Sequence, residues 1–199
     1  MKKLVLIMCL LLLTGCSIVR IDTNDIDNIV NIILSKNNNL FNQIGRGYKY
    51  YVPYGVSYID TTEYNDTLYS NGDYYYLYID IVSYYYNKEN KYVIDENAYY
   101  SKIFDINDKQ AYLQINETDD KKYLIQFSYN YSKIEVICDY EDINNSILNS
   151  SYILSTVKFN NNVIKTILDE EFLVNEEKYD VFESKNETDD FLKLEEEVE

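Results

Sequence analysis

The sequence predicts an α+β fold, in which one antiparallel sheet of about five to six strands carries an N-terminal helix and C-terminal helices packed on it. Apolar residues recur at helical spacing before residue 45 and again after residue 141. Between these regions the chain is a series of short runs with strand-like alternation, joined by short polar loops. Short loops suit antiparallel hairpins, and helices that flank a block of strands are typical of an α+β domain.

The first predicted helix lies in the stretch NDIDNIVNIILSKNNNLFNQIG, residues 24–45. We expect Thr23 or Asn24 to cap its start and Gly45 to form a left-handed C-cap. The asparagines at 37–39 weaken its middle and favour a break there. Its apolar residues follow the i, i+3, i+4, i+7 stripe of a helix: Ile26, Ile29, Val30, Ile33, Leu40, Phe41 and Ile44.

The predicted strands begin with GYKYYVPYGVSYID, in which Pro53 marks a strand edge or a bend. A polar turn region follows at 60–73, with Asn71-Gly72 as a strong turn signal. The tyrosine-rich run 74–86 predicts one long strand, and a turn at 88–91 leads to a return strand at 92–94. Four further strands are predicted in AYYSKIFDI, AYLQIN, KYLIQFSY and KIEVICDY.

Two helices are predicted after the strands. In DINNSILNSSYILSTV, Asp142 is the expected N-cap, and one face is predicted to carry Ile143, Ile147, Leu154 and Val157. NNVIKTILDEEFLV predicts a second helix. We therefore expect a single domain over 24–168, followed by an acidic C-terminal segment over 169–199, which holds fourteen acidic residues and three lysines for a net charge of −11.

The N-terminal residues have the pattern of an export signal. Lys2 and Lys3 precede an apolar run of ten residues, Leu4 to Leu13. As a helix this run is about 15 Å long, roughly half of a hydrocarbon core, so it suits a signal peptide better than a membrane-spanning anchor. Residues 1–15 are therefore predicted to be a signal peptide and residues 16–23 a tether.

The end of this signal, Leu13-Thr14-Gly15-Cys16, resembles the lipobox of bacterial lipoproteins. The resemblance implies that Cys16 carries a diacylglycerol on its thiol and becomes the new N-terminus after cleavage, with fatty acyl chains such as palmitate as the anchor. The domain would then be held at the extracytoplasmic side of the cell membrane. The alternative is an ordinary signal peptide with a cysteine at this position by chance.

Processing at Cys16 would leave a chain of 184 residues with Cys138 as its one free thiol. Such a chain forms no internal disulfide, so its fold depends on a packed core, in which we expect Cys138 to be buried. Loss of Lys2 and Lys3 changes the net charge from −16 to −18. This charge disfavours nucleic acid and anionic lipid headgroups as partners, so membrane association is assigned to the lipid on Cys16.

Residues 46–160 show a second similarity. GYKYYVPYGVSYID is similar to the first strand and the aromatic–Pro–x–Gly bend of PsbP/Mog1-like domains. KIEVICDYEDINNSILNSSYILSTVKF resembles their last strand and their terminal helix, which finishes in a Ser-x-x-Phe-type element, here Ser155 to Phe159. The resemblance implies an α/β/α sandwich that serves for binding and has no shared active site.

The tyrosine-rich run predicts two different faces for one strand. The odd positions, centred on Leu77 and Ile79, are expected to face the core. The even positions carry the candidate ligand-binding residues Tyr74, Tyr76, Tyr78, Tyr84 and Tyr86. Two interpretations remain: a helix covers this row and the tyrosines are bulky strand formers with polar tips, or the row is open and stacks on a sugar ring or an extended peptide.

The sequence favours a non-enzymatic protein. It has no histidine, which excludes Ser-His-Asp and Cys-His catalytic systems, and it has no glycine-rich phosphate loop. No cofactor is predicted, and no specific metal site, since Asp105, Asn107 and Asp108 lack the glycine and the glutamate of a calcium loop. Acidic pairs such as Asp119 with Asp120 are interpreted as solvated loop residues.

The functional hypothesis is a lipid-anchored protein of the cell envelope with a binding or structural role, whose ligand is a protein, a peptide or a glycan. The alternative is an envelope glycan hydrolase that uses two carboxylates, since such an enzyme needs only a pair of acidic residues.

Overall fold

The computed structural model describes residues 21–172, with side chains through Asp169. Cys16, the predicted signal peptide, most of the predicted tether and the last 27 residues lie outside the described residues. The α+β class is confirmed, with a seven-stranded antiparallel sheet and a second sheet of three short strands. The helices are α1 (Ile26–Leu34), α2 (Ile81–Tyr85), α3 (Ile143–Thr156) and α4 (Asn161–Phe172), and a 3-10 turn spans Tyr140–Asp142. The strands are β1 (Gln43–Ile44), β2 (Tyr48–Tyr50), β3 (Ser57–Thr62), β4 (Asn65–Ser70), β5 (Asp73–Ile79), β6 (Tyr100–Ile106), β7 (Lys109–Glu117), β8 (Tyr123–Tyr129), β9 (Ser132–Cys138) and β10 (Lys158–Phe159).

The large sheet has the strand order β3-β4-β5-β9-β8-β7-β6, and all of its neighbours are antiparallel. Three of its hairpins turn on two residues with positive φ, at Asn71–Gly72, Asn107–Asp108 and Asn130–Tyr131. Paired positive φ values match the twist of the flanking strands, and asparagine, aspartate and glycine adopt them at low cost. The turn signal at Asn71-Gly72 is thereby confirmed. Asn107 and Asp108, which lie in the stretch compared above with a calcium-binding loop, form the turn between β6 and β7.

The inner face of the large sheet and two helices enclose the core. Alternate residues of the central strands are buried, among them Leu77 and Ile79 on β5 and Ile134 on β9. Helix α3 crosses this face in contact with β8 and β9, while α1 packs against α3 and against β6. Cys138 is buried in this layer as expected, and burial raises the pKa of its thiol to about 11.

Helix α1 is shorter than the sequence predicted. Its N-cap is Asp25, whose carboxylate accepts hydrogen bonds from the backbone N–H groups of Asp27 and Asn28, so the assignment of the cap to Thr23 or Asn24 was wrong. The helix ends at Leu34, and the asparagines at 37–39 follow it as an irregular segment. Leu40, Phe41 and Ile44 are consequently outside the helix and exposed.

The small sheet, in the order β1-β2-β10, covers the inner side near β4. Tyr48 on β2 donates a hydrogen bond of 3.1 Å to the buried carboxylate of Asp66 on β4, which ties the two sheets together. Gly45 precedes β2 and is not a helix cap. A Cβ at Gly45 would lie 2.2 Å from the Tyr48 ring, so the close approach of this ring explains the glycine.

Three strand predictions were wrong in detail. The predicted turn region 60–73 contains β4, in which the buried residues Asp66 and Leu68 alternate with more exposed ones. Most residues of this strand are polar, so the alternation is difficult to recognise in the sequence. The predicted return strand at 92–94 is part of an irregular segment, 87–99. The long tyrosine strand ends at Ile79, where α2 follows.

The described helices also extend past the predicted domain boundary. Helix α4 runs from Asn161 to Phe172, across the boundary placed at residue 168. Its Ile164 and Ile167 are buried, so this helix belongs to the packed domain.

Candidate functional site

The outer face of the large sheet has two parts: an irregular segment of the chain lies over one, and a row of tyrosine rings lies on the other. Over β6 and β7, the segment 87–99 lies on the sheet. The rings of Tyr92 and Tyr112 stack at 5.1 Å with an angle of 15° between their planes, and the Tyr112 hydroxyl donates to the Val93 carbonyl oxygen at 2.8 Å. The Gln114 side-chain amide donates to the carboxylate of Asp95 at 3.2 Å. Polar and stacking contacts therefore tie this segment to the sheet.

Over β4 and β5 the outer face presents a row of tyrosine rings, here called the tyrosine surface: Tyr69, Tyr74, Tyr76 and Tyr78. Tyr69 and Tyr74 are directly opposite each other on the two strands, with ring centroids 5.2 Å apart. Tyr74 and Tyr76 stack at 6.5 Å with 21° between their planes. Tyr74 is 50% exposed and Tyr69 37% exposed, so the row reaches solvent at this end.

Tyr78 ends the row beside a group of hydrogen-bonded polar side chains. The Lys133 ammonium lies 5.2 Å from the centroid of the Tyr78 ring and 2.9 Å from a carboxylate oxygen of Glu135. The Gln126 amide donates to the same carboxylate at 2.8 Å. Burial, together with the charge of Glu135, raises the pKa of the Tyr78 hydroxyl, which therefore stays protonated. The tyrosine surface thus combines flat aromatic rings with polar side chains that are held in place by hydrogen bonds to one another.

The structure brings together three of the five predicted ligand-binding tyrosines. Tyr74, Tyr76 and Tyr78 share one face of β5, as the alternation predicted. Tyr84 and Tyr86 do not join them, because the strand ends and the Asp80 carboxylate caps α2 by accepting from the Ser83 backbone N–H at 2.7 Å.

The two displaced tyrosines have different surroundings. Tyr84 stacks on Phe159 at 3.9 Å and contacts Tyr131 edge-on, which gives it a packing role. Tyr86 is exposed at the end of α2. The capping aspartate followed three residues later by serine was the signal for this helix, and the alternation of the tyrosines concealed it.

Tyr69 was missed in the sequence because β4 was interpreted as a turn. The signal that could have found it is the alternation in NDTLYS, in which Asp66, Leu68 and Ser70 are buried and Tyr69 is exposed. The buried aspartate and serine made that alternation look polar throughout.

A cavity lies between the β4–β5 hairpin and the start of α3. Its volume is about 210 Å³. All of its lining residues are polar: Ser70, Asn71, Asp73, Tyr75, Asp142, Asn145, Ser146 and Asn149. Asp142 is the N-cap residue by position, as predicted, but its carboxylate accepts from the Asn71 side-chain amide at 2.7 Å and makes no capping hydrogen bond.

Asp73 is the carboxylate of this cavity whose pKa is shifted. Burial first, and then the negative charge of Asp142, raise the pKa of Asp73 above its usual range. The floor is formed by the buried Tyr75, whose hydroxyl donates to the Ser146 hydroxyl at 3.2 Å and accepts from the Asn149 amide at 3.3 Å. A pair of acids with one raised pKa is an arrangement used for acid–base chemistry.

Within residues 21–172, none of the helices is long and apolar enough to cross a membrane. In the same part of the chain, side chains of histidine, cysteine, aspartate and glutamate do not gather into a group of three or more able to hold a metal ion. No family model, curated protein or solved structure matches the chain.

Proposed function

We propose that this protein is a lipoprotein of the cell envelope, anchored to the membrane through a lipid on Cys16, whose domain binds a glycan or an extended peptide through the tyrosine surface. The observation that carries the binding role is the continuous row of partly exposed rings at Tyr69, Tyr74 and Tyr76. Tyrosine offers a large rigid contact area with a polar tip and loses little side-chain entropy on binding.

The shape of the surface supports a flat or extended ligand. Strand neighbours on one face of a sheet are spaced at about 7 Å along the strand, so Tyr74, Tyr76 and Tyr78 present successive rings to a repeating polymer. Beside them, Glu135, Lys133 and Gln126 hold one another by hydrogen bonds and offer polar groups for orienting a ligand.

The lipid anchor is supported by the leader: the two lysines, the ten apolar residues and the Leu-Thr-Gly-Cys box stand in the expected order. Cys16→Ala is expected to release the protein from membranes or to leave an unprocessed precursor. Membrane fractionation and mass spectrometry of the N-terminus measure this. A Cys16→Ala chain that is still acylated and cleaved would refute the assignment.

The binding role is tested with the full chain in detergent micelles. Co-sedimentation with purified cell-wall glycan, and titration with extended peptides followed by tyrosine fluorescence, measure binding. Tyr74→Ala combined with Tyr76→Ala is expected to weaken binding by about tenfold or more, since each ring contributes about 1 kcal/mol.

The matched control is Tyr140→Ala, which removes a tyrosine that is 62% exposed and outside the row. It should leave binding unchanged. Equal loss in the control and in the double variant would show that exposed tyrosines bind unspecifically and would remove the case for this surface.

The polar cavity favours a second candidate, an envelope glycan hydrolase. Asp73, with its raised pKa, would serve as the general acid, and Asp142 would supply the second carboxyl group. Release of reducing sugar ends from cell-wall glycan tests this, with Asp73→Asn and Asp142→Asn each expected to abolish it. Asp108→Asn, at an exposed acid in the β6–β7 hairpin, is the control and should retain activity.

A further inference from the structure

The surface of the small sheet carries an unusual pair of lysines. Lys49 on β2 stands directly opposite Lys158 on the antiparallel strand β10. Tyr48 and Tyr50 on either side of Lys49 are buried, so Lys49 points away from the core, and its cross-strand partner lies on the same side. The Lys49 ammonium lies 4.0 Å from the centroid of the Phe41 ring. Like charges directly opposite each other in a sheet are destabilising.

A third lysine joins this pair. The Lys109 ammonium donates to the side-chain oxygen of Asn130 at 2.7 Å, and the Asn130 amide donates at 3.4 Å to the carbonyl oxygen of Val157, the residue before Lys158. Burial, and then the positive charge of Lys158, lower the pKa of Lys109. Lys49, Lys109 and Lys158 are here called the lysine cluster.

The lysine cluster lacks carboxylate partners in the part of the chain that the structure describes. The ion pairs there are Lys102–Asp27, Lys122–Asp139 and Lys133–Glu135. None of them includes Lys49, Lys109 or Lys158, although the whole chain has 34 acidic residues against 18 basic ones. Among residues 21–169, these three neighbouring cations therefore have no carboxylate within ion-pair distance, in a chain whose net charge is −16.

The same chain supplies a matching anion. Residues 173–199 contain eleven acidic residues and three lysines, a net charge of −8. The chain passes from Lys158 directly into α4, which begins at Asn161 and ends at Phe172. Three residues and a helix of about 18 Å separate Lys158 from Phe172, so the acidic segment follows a residue that is at most about 30 Å from Lys158. Its 27 residues reach up to about 90 Å when extended, which is ample for a return.

We propose that the acidic segment 173–199 binds the lysine cluster of its own domain. The acidic segment is opposite in charge to the lysine cluster. Because it is covalently attached to the domain, its effective concentration is in the millimolar range, which favours it over a free polyanion. The contact is electrostatic and lies at the surface, so salt weakens it: the Debye length falls from about 10 Å at 0.1 M to about 3 Å at 1 M.

Zero-length carbodiimide crosslinking of the full chain in detergent micelles tests the proposal, because it joins lysine amines only to carboxylates in direct contact. Peptide mapping should show crosslinks from residues 173–199 to the lysine cluster. The comparison lysines are Lys91, Lys121 and Lys122, which are exposed, and the last two lie at the opposite end of β7 from Lys109.

At about 0.1 M salt, crosslinks to the cluster should exceed those to the comparison lysines by about fivefold or more, and should fall about fivefold at about 1 M. The Lys102–Asp27 crosslink inside the domain reports that the reagent is active at both salt concentrations. An even distribution over all six lysines, or no salt dependence, would overturn the proposal. Mixing labelled with unlabelled chains detects crosslinks between molecules, and their dominance would also overturn it.

A pair of charge-matched variants gives a second readout. Lys49→Gln, Lys109→Gln and Lys158→Gln together should speed tryptic cleavage at Lys178, Lys185 and Lys193 by about fivefold, because the segment loses its contact. Lys91→Gln, Lys121→Gln and Lys122→Gln remove the same charge and should leave that rate unchanged. Equal rates in both variants would contradict the proposal. If the cluster variant fails to fold, as judged by circular dichroism, the crosslink map of the unmodified chain decides alone.

Discussion

The two faces of β5 use the same residue type for different purposes. On the inner face, Tyr75 is buried and its hydroxyl is bonded to Ser146 and Asn149. On the outer face, Tyr74 and Tyr76 stack on each other and reach solvent. One residue along the strand therefore separates a tyrosine fixed in the core from a tyrosine available for contact.

The difference teaches that tyrosine content alone does not define a binding surface. The inner tyrosine is held by named hydrogen bonds, and its change should alter stability. The outer tyrosines make ring contacts near solvent, and their change should alter binding with little effect on stability. Stability and binding measurements on paired variants can therefore separate the two faces.

The largest expected difference between the faces is in thiol accessibility. Cys138 is fully buried at the end of β9, and burial raises the pKa of its thiol to about 11. Labelling at pH 8 should be slower than in the urea-unfolded chain by about a thousandfold or more, because reaction needs an opening that costs about 5 kcal/mol or more.

The control moves the thiol across the sheet by one residue. Ile137→Cys combined with Cys138→Ser places the thiol on the partly exposed outer face. This variant should be labelled far faster than the original chain. Comparable protection of the two positions would mean that the outer face is covered, and would remove the contrast on which the binding proposal depends.

Core packing gives the next largest effect. Leu77→Ala, at a fully buried position of the inner face, should lower the free energy of unfolding by about 2–5 kcal/mol. Tyr76→Ala, one residue earlier on the outer face, should cost less than about 1 kcal/mol. Urea denaturation followed by circular dichroism measures both. A larger loss for Tyr76→Ala than for Leu77→Ala would reverse the assignment of the faces.

A hydroxyl deletion compares the tyrosines themselves. Tyr75→Phe removes the partner of the buried Ser146 and of Asn149, and should cost about 0.5–1.5 kcal/mol in urea unfolding. Tyr74→Phe, on the half-exposed ring, is expected to change stability by less than about 0.5 kcal/mol. Indistinguishable values for the two would argue that the Tyr75 hydroxyl adds no net stability.

The sequence allowed the core faces to be predicted where alternation was long and simple. Leu77 and Ile79 were placed inward correctly, and the strands from β6 to β9 were predicted, because hydrophobic period and hairpin residues agreed there. β4 was missed because its inward positions include Asp66 and Ser70, which are stabilised by partners that only the fold brings near: Tyr48 for the aspartate and the Gly55 carbonyl for the serine.

Local alternation also allowed part of the candidate site to be predicted. The outward position of Tyr74, Tyr76 and Tyr78 follows from local alternation. The end of the strand at Asp80 follows from a capping hydrogen bond, which overrides the alternation of the next six residues. The cavity at Asp73 and Asp142 could not be found in the sequence, because it joins a hairpin to a helix 69 positions later in the chain.

The smallest expected effect lies at the margin of the inner face, where α1 meets β6. Asp27 accepts hydrogen bonds from the Tyr100 hydroxyl and the Lys102 ammonium. Burial acts to raise the pKa of Asp27, but these two bonds outweigh it and hold the pKa below the usual value of 3.8. A carboxyl with a lowered folded-state pKa contributes stability above its unfolded pKa and loses it as the pH falls through the folded value.

Asp27→Asn should therefore be less stable than the original chain at pH 7, by at most about 1 kcal/mol, because the pair is partly exposed and screened. The difference should shrink as the pH falls below about 4, where the original chain also loses its charge. Urea midpoints at several pH values measure it, and Lys102→Gln should reduce the same pH dependence. A difference that persists undiminished at pH 2 would assign the effect to packing of the side chain, and would place Asp27 with the buried inner face instead of at its charged margin.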